Sequence, residues 1–383
     1  KNLPNFEGLV SEMKEQGIHL VPIIDAGIKV KPGYNIYEEG VKGNHFCKDA
    51  NGNDFKCGVW PGYCHLVDVL NDEHRKWFGD QYKFLLDKGI DGIWNDMNEP
   101  SIFYTDERLN EAYEMVDRLR GSELDLQTYF GMRKKFSTLS SNPKDYQLFY
   151  HDINGKKIRH DKVHNLYGYN LSRAAGEAFE RMSPDKRILF FSRSSMIGMH
   201  RYSGIWTGDN HAWWSHLKLS IHQMPNINMC GFLYTGSDID GFGSDTNEEL
   251  MTRWVEFGIF TPLMRNHSQS RRAQELYVFN HTETFKNLVE LRYALIPYLY
   301  SEFVKAALNN DSYFKPLSFV YEDDARTYNI EDQLMVGESI MIAPVYEQNC
   351  RGRYVYLPED MKMIKYRSLD DYEEVEMSKG DHY

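Results

Sequence analysis

The chain has 383 residues, and its 56 Asp and Glu against 44 Lys and Arg leave a net charge of −12. That length exceeds one average domain and suffices to bury a sizeable core. The acidic balance, with Lys and Arg unclustered, speaks against a nucleic-acid partner, and no stretch is long and apolar enough to cross a bilayer as a helix, so no membrane partner is expected.

Residues 5–16 have helical spacing and stop at Gly17. Residues 18–24 read as a buried strand running into Asp25. Residues 31–65, rich in Gly, Asn and Lys, read as a long loop or small excursion in which Val59, Trp60, Pro61 and Gly62 stand out. A helix is predicted over about 72–88, with Asn71 or Asp72 as its cap. Gly89 stops it, a short apolar strand follows to Trp94, and Asn95, Asp96, Asn98 and Glu99 come in a burst closed by Pro100.

From about 104 to 165 the chain is polar, with helical charge patterns and no strong strand, and reads as an insertion. Residues 166–182 are again helical, and a strand over 187–192 ends in Arg193. A further strand reaches Trp206 and is followed by Gly208, Asp209 and Asn210. Next come a helix over 214–224, a strand over 231–238, a helix over 246–257, and a last strand over 261–267 ending in His267. Residues 282–308 form a long amphipathic helix, expected to bend at Pro297. Past residue 313 the texture changes to short alternating strands, such as 334–345.

Strands and helices alternate, and nearly every strand finishes in Asp, Arg or His. That is the pattern of a parallel α/β barrel, which carries its chemistry at the carboxyl ends of its strands. Six such strands are present where a closed (β/α)8 TIM barrel needs eight. The expected organisation is therefore a barrel portion over residues 1–312 lacking its first two strands, with the insertion at about 104–165, and the beginning of an all-β sandwich over 313–383. On this reading the chain is a piece of a longer protein.

Five cysteines are too few and too scattered for a disulfide framework, which favours a reducing compartment and a cytoplasmic setting. Cys47, Cys57 and Cys64 fall near His45 and His65, but the spacing is not paired C-x-x-C and no metal is expected.

Asp96 and Asp209 each close a strand, so both are candidates for acid, base or nucleophile. Gly208 lets the backbone turn and aim Asp209 into a cleft. Read alone, Asp209 is as readily a helix N-cap ahead of Trp213 and Trp214. Asp25, Arg193, Asp238 and His267 sit likewise just past apolar strands. Singly, each is more often a structural hydrogen-bonder; together they form a polar rim.

The run Trp94-Asn95-Asp96-Met97-Asn98-Glu99 resembles the W-x-D-M-N-E signature of glycoside hydrolase family 31, the α-glucosidase and α-xylosidase family. The resemblance implies that Asp96 is the catalytic nucleophile. The segment from Arg193 to Asp209 is similar to the family's R-S…G…W-x-G-D-N segment, whose Asp is the general acid/base. Asp25 matches the Asp after the family's third strand, Asp238 and Phe242 match a G-A/S-D-I-x-G-F motif, and His267 matches R-N-H. All are implied to bind the non-reducing sugar with Arg193, against apolar walls from Trp60, Trp94, Met97, Trp206 and Phe242; Glu99 is implied to support the Asp96 loop.

The implied function is that of a retaining, exo-acting α-glucosidase working by double displacement on an oligosaccharide, with no metal or organic cofactor. Retention needs the two carboxyls about 5–5.5 Å apart across the sugar, Asp209 carrying the proton at rest and Asp96 ionised. The alternatives are an α-xylosidase or transglycosylase on the same scaffold, or a non-catalytic carbohydrate-binding relative. Glucose is favoured over xylose; linkage preference (1,4 or 1,6) and oligomeric state are not legible in the sequence.

Overall fold

The computed structural model describes residues 5–383, and the chain divides into two units, one ending at Ser203 and the other beginning at Gly204. The first four residues of the expected barrel portion lie outside the described residues.

In the first unit, α1 (Phe6–Glu15) opens with the Asn5 side chain accepting from the Gly8 amide at 3.1 Å. The strand expected over 18–24 makes a ladder only as β1 (Ile23–Asp25), because Pro22 has no N–H to give; its carbonyl still accepts the Trp94 amide at 3.1 Å. The stretch expected to be a loop holds regular structure. It contains β2 (Gly27–Lys29), α2 (Asn35–Lys42), β3 (Lys56–Val59) and β4 (Gly62–Leu66), with β4 antiparallel to both β2 and β3.

The helix expected over 72–88 is broken into α3 (Asp72–Asp80) and α4 (Lys83–Leu86). Asn71 caps α3, its side-chain oxygen accepting from the Glu73 and His74 amides at 3.0 and 3.2 Å. At the break, Gln81 and Tyr82 bond three residues back instead of four. The buried Tyr82 then donates its hydroxyl to Asn95 at 2.7 Å.

Strand β5 (Gly92–Asp96) is the centre of this unit. Its first four residues are buried, as expected of a strand covered on both faces. The apparently strandless insertion contains α5 (Asp106–Leu119), α6 (Leu126–Ser137) and then a hairpin, β6 (Tyr150–Ile153) with β7 (Lys156–Arg159). Its two-residue turn, Asn154-Gly155, has φ of 55° and 80°, the hairpin-turn chemistry that an Asn-Gly pair supplies. Asp152 in the first strand and Lys156, Lys157 and Arg159 in the second hide the alternation that periodicity detects.

Helix α7 (Asn165–Met182) packs on α3 so closely that a Cβ on Gly79 would meet the Ala174 carbonyl oxygen at 2.3 Å. Strand β8 (Leu189–Ser192) completes a parallel trio with β5 in the middle, β1 on one side and β8 on the other. The unit's core gathers Ile93, Phe190, Leu171, Tyr167, Phe78 and Tyr82.

In the second unit, β9 (Gly204–Trp206) is joined through α8 (Trp214–Met229) to a parallel partner, β10 (Thr235–Gly236). Helix α8 continues past Pro225, where it was expected to end, and that proline is buried within it. Strand β11 (Asp238–Ile239) leads through α9 (Glu248–Gly258), capped by Asn247, to parallel β12 (Arg265–Asn266). The long strands expected over 231–238 and 261–267 thus form only short ladders, although the Leu263 amide still donates to the Thr235 carbonyl at 3.1 Å.

Helix α10 (Thr282–Asn309) runs unbroken through Pro297. Beyond it every pairing is antiparallel. A three-stranded sheet is made by β13 (Phe314–Pro316), β14 (Leu334–Val336) and β15 (Ile340–Ile342), with α11 (Leu317–Val320) between its first two strands. Strand β16 (Val355–Leu357) is followed by the hairpin β17 (Met361–Ser368) and β18 (Asp371–Met377), and it pairs with β19 (Gly380–His382). Among the described residues no helix is long and apolar enough to cross a membrane.

Candidate active site

The parallel register of the first unit sets Asp25 directly beside Asp96, at the carboxyl ends of β1 and β5. Two neighbouring carboxylates repel, and burial deprives them of water. Asp25 carries the consequence: burial, then the Asp96 charge, push its carboxyl up to about 6, against the pull of Arg193.

Arg193 follows β8 and holds this end together. Its Nη1 lies 3.1 Å from Asp96 Oδ1. Its Nε and Nη2 donate to both oxygens of Glu99, at 2.8 and 3.0 Å, the two-pronged geometry that a guanidinium matches best. Its Nη2 also lies 3.1 Å from the Met97 sulfur. Glu99 therefore reaches the Asp96 loop through Arg193.

The loop itself is fixed from beneath. Met97 takes a left-handed φ of 56° and donates its amide to Asp96 Oδ1 at 2.8 Å. Asn98, fully buried, donates to Ser192 Oγ at 2.8 Å and accepts from the Ser194 amide at 3.0 Å. Gly168 on α7 leaves room for the loop, since a Cβ there would lie 2.9 Å from the Asn98 carbonyl oxygen. One cation and one amide thus support negative charge on Asp96 while leaving its side chain partly open, at 18% exposure.

The aromatic candidates of this unit divide. Trp94 is buried and stacks on Phe191 with centroids 5.7 Å apart. Trp60 is 72% exposed and meets Phe103 edge-on at 4.9 Å. An indole that open, braced by a second ring, is a stacking surface of the kind pyranose faces use.

In the second unit, Gly208 has φ of 77° and Asp209 is exposed. Helix α8 begins at Trp214 with Trp213 in its cap position, so Asp209 is not its N-cap. Asn210 ties the turn to the next strand end: its Nδ2 donates to the Asp238 carbonyl at 2.9 Å, and its Oδ1 accepts from the Phe242 amide at 3.1 Å. Asp238, fully buried, is paired with Arg265 Nη2, its neighbour in register on β12. The Arg265 guanidinium lies 5.2 Å from the ring of the buried Trp206. Phe242 and His267 stack with centroids 5.2 Å apart. Burial, then the Arg265 charge, hold the His267 imidazole down to about 4, so it is neutral at neutral pH.

Sequence reasoning passed over Asp240, Arg265, Arg272 and Gln274. Asp240 is fully buried, and burial pushes its carboxyl up to about 7. Arg272 donates to the Phe242 carbonyl at 2.6 Å, and Gln274 Nε2 to the Ile239 and Gly241 carbonyls at 2.8 and 2.9 Å. Asp240 occupies the variable position of the matched motif and Arg265 opens Arg265-Asn266-His267, so a signal lay in plain view for both. Nothing local marks Arg272 or Gln274.

The structure thus places Asp25, Trp60, Trp94, Asp96, Met97, Glu99 and Arg193 in the first unit, and Trp206, Asp209, Asp238, Phe242 and His267 in the second. Among the described residues, a set of donors spaced to hold a metal occurs at Cys47, Asp68 and His151, none of them among these candidates.

Residues 1–302 match the family described as glycosyl hydrolases family 31 TIM-barrel domain, and residues 310–382 match the glycosyl hydrolase family 31 C-terminal domain. Alpha-glucosidase 2 of Bacillus thermoamyloliquefaciens is 35% identical over 359 residues, covering 93% of this chain and 41% of that protein. The alpha-glucosidase of Saccharolobus solfataricus is 31% identical over 364 residues, covering 93% of this chain and 50% of that protein. A crystal structure of a glucosidase II alpha subunit superposes with a TM-score of 0.78 at 25% identity, covering 98% of this chain and 38% of that one. The chain spans about half the length, or less, of these relatives.

Proposed function

This chain belongs to glycoside hydrolase family 31, and we propose that it carries the catalytic part of a retaining, exo-acting α-glucosidase. The observation that carries this reading is Asp96. It is a strand-end carboxylate beside Asp25 in register, paired with Arg193 and bonded by the Met97 amide, inside the family's signature. In the same reading β1, β5, β8, β9, β10 and β12 are the third to eighth strands of the barrel, and residues 313–383 begin a β-sandwich.

The chemistry assigned to these residues is a double displacement. The Asp96 carboxylate attacks the anomeric carbon as the glycosidic bond breaks, and Asp209 gives its proton to the leaving oxygen. Asp209 then takes a proton from water, which attacks the same carbon and releases Asp96. Asp25, ionised above a pH of about 6, serves as an acceptor for a sugar hydroxyl, and Trp60 offers an apolar face.

The test uses the full-length protein on aryl α-glucosides and α-xylosides, following the anomer first released by NMR. Faster turnover of the glucoside with an α-anomeric first product supports the reading. A β-anomer, or no turnover on either, overturns it. Asp209→Asn sharpens the assignment of the acid: it should slow substrates with poor leaving groups far more than activated aryl ones. An equal loss on both removes Asp209 from that role.

A further inference from the structure

Away from the sugar-site candidates, three side chains from separate stretches of the first unit converge in its interior. Cys47 lies past α2, Asp68 follows β4, and His151 sits on β6; their exposures are 0%, 2% and 1%. One ligand atom from each lies within 4.8 Å of the others. Cys47 Sγ is 3.6 Å from His151 Nδ1, and His151 Nδ1 is 2.6 Å from Asp68 Oδ1.

We propose that Cys47, Asp68 and His151 form a binding site for one divalent transition-metal ion, zinc by the chemistry of its donors. A thiolate, an imidazole and a carboxylate together suit zinc and not the hard cations, which take oxygen alone. The spacing agrees. Bonds of about 2.3 Å to sulfur and about 2.0–2.1 Å to nitrogen, at a tetrahedral angle, put those two atoms about 3.6 Å apart, which is the separation seen. The Asp68 oxygen must open from His151 to about 3.4 Å for the same geometry, a small rotation of one carboxylate.

The surroundings are those of a closed structural site. Asp68 Oδ2 accepts the Asp152 amide at 2.7 Å, fixing the carboxylate. His74 Nδ1, buried and without a hydrogen-bond partner, lies 3.9 Å from Asp68 Oδ2 and is a further nitrogen close to the site. Behind His151 runs a chain of imidazoles: His151 Nε2 to His160 Nδ1 at 2.9 Å, and His160 Nε2 to His164 Nδ1 at 2.9 Å. A metal-bound histidine characteristically passes its other N–H to a hydrogen-bond acceptor, and His160 Nδ1 can be that acceptor here. The chain is satisfied in both proton orders. Without the ion, each Nδ1 carries the hydrogen and His151 donates to Asp68. With it, each hydrogen sits on Nε2, the Cys47 thiol proton leaves to solvent, and no ring nitrogen within the chain is orphaned.

The site pins the insertion's hairpin to the segments around α2 and β4, and it is independent of the proposed sugar chemistry. Full-length protein purified under reducing conditions should hold one zinc per chain by elemental mass spectrometry. Cys47→Ser and Asp68→Asn should each lose most of it, whereas Cys230→Ser, at an exposed thiol, should keep it. A second measurement needs no variant. Cobalt(II) added to the chelator-stripped wild type should give a thiolate-to-cobalt charge-transfer band and intense tetrahedral bands, both abolished by zinc, and stripping should lower Tm reversibly. Absence of the charge-transfer band, or full zinc retention in a folded Cys47→Ser, overturns the proposal.

Discussion

The strand ends of the two units handle buried carboxylates in opposite ways. In the first, Asp25 and Asp96 stand side by side and one guanidinium, Arg193, serves Asp96 and Glu99 together, with the cluster partly open to solvent. In the second, Asp238 and Asp240 are both fully buried; Asp238 is matched by Arg265, while Asp240 resists ionisation. Partial exposure keeps a carboxylate available to a ligand. Full burial withdraws it from solvent, and the Phe242–Gly241 turn that follows is held by Arg272 and Gln274. The same residue type at the same kind of strand end is thus partly open to solvent in one unit and sealed in the other.

The largest expected effect falls on the open cluster. Asp96→Asn keeps the shape and removes the charge, and should cut kcat/KM by about 10³-fold or more with the circular-dichroism spectrum unchanged. In the closed cluster the damage should appear as stability. Arg265→Met strands the buried Asp238 charge and should cost about 3–5 kcal/mol in urea unfolding, and Asp238→Asn in the same background should recover part of it. Should Arg265→Met leave stability intact while abolishing turnover, the contrast between the clusters is wrong.

Arg193→Lys is a finer probe. A lysine keeps the positive charge but cannot grip Glu99 with two prongs. A fall in kcat/KM of about 10–100-fold is expected, with only a small loss of stability because the pair is partly solvated.

The pH dependence of stability separates the carboxyls further. Asp25 and Asp240, with folded values of about 6 and about 7, bind their protons more tightly folded than unfolded. Their contribution is therefore undiminished below the ordinary carboxylate range near 4, and it declines as pH rises through 6 for Asp25 and 7 for Asp240. Asp240→Asn should flatten the upper part of that decline, measured by urea unfolding across pH. Smallest of all, Asn71→Ala, outside both clusters, should cost about 1 kcal/mol with no change in kcat or in the pH profile, and so gives the scale of a purely local loss.

Much of the site was legible because its signals are short-range. The signature around Asp96, the glycine before Asp209 and the polar residue at each strand end are adjacent in the chain, and Asn71 announced itself as a cap. The hairpin at residues 150–159 escaped notice because charged residues fill its alternating pattern. The helix break near Tyr82 escaped because nothing local demands it. Cys47, Cys57 and Cys64 fall near His45 and His65 in the chain without the paired spacing of a metal site, and the fold gives His65 Nδ1 to the Phe55 carbonyl at 2.7 Å and stacks His45 on Trp77.

The sequence by itself determined the alternation of the parallel strands with helices, the change to short alternating strands after residue 313, and the residue types at the strand ends. Periodicity, caps and turns act over a few residues and can be read locally. Only the tertiary structure decided that Asp25 lies beside Asp96, that Asp240 is sealed from water while Asp209 is exposed, and that Cys47, Asp68 and His151 meet. Strand register, burial and side-chain convergence are set by pairing between stretches remote in the chain, and no local pattern encodes which of them become neighbours.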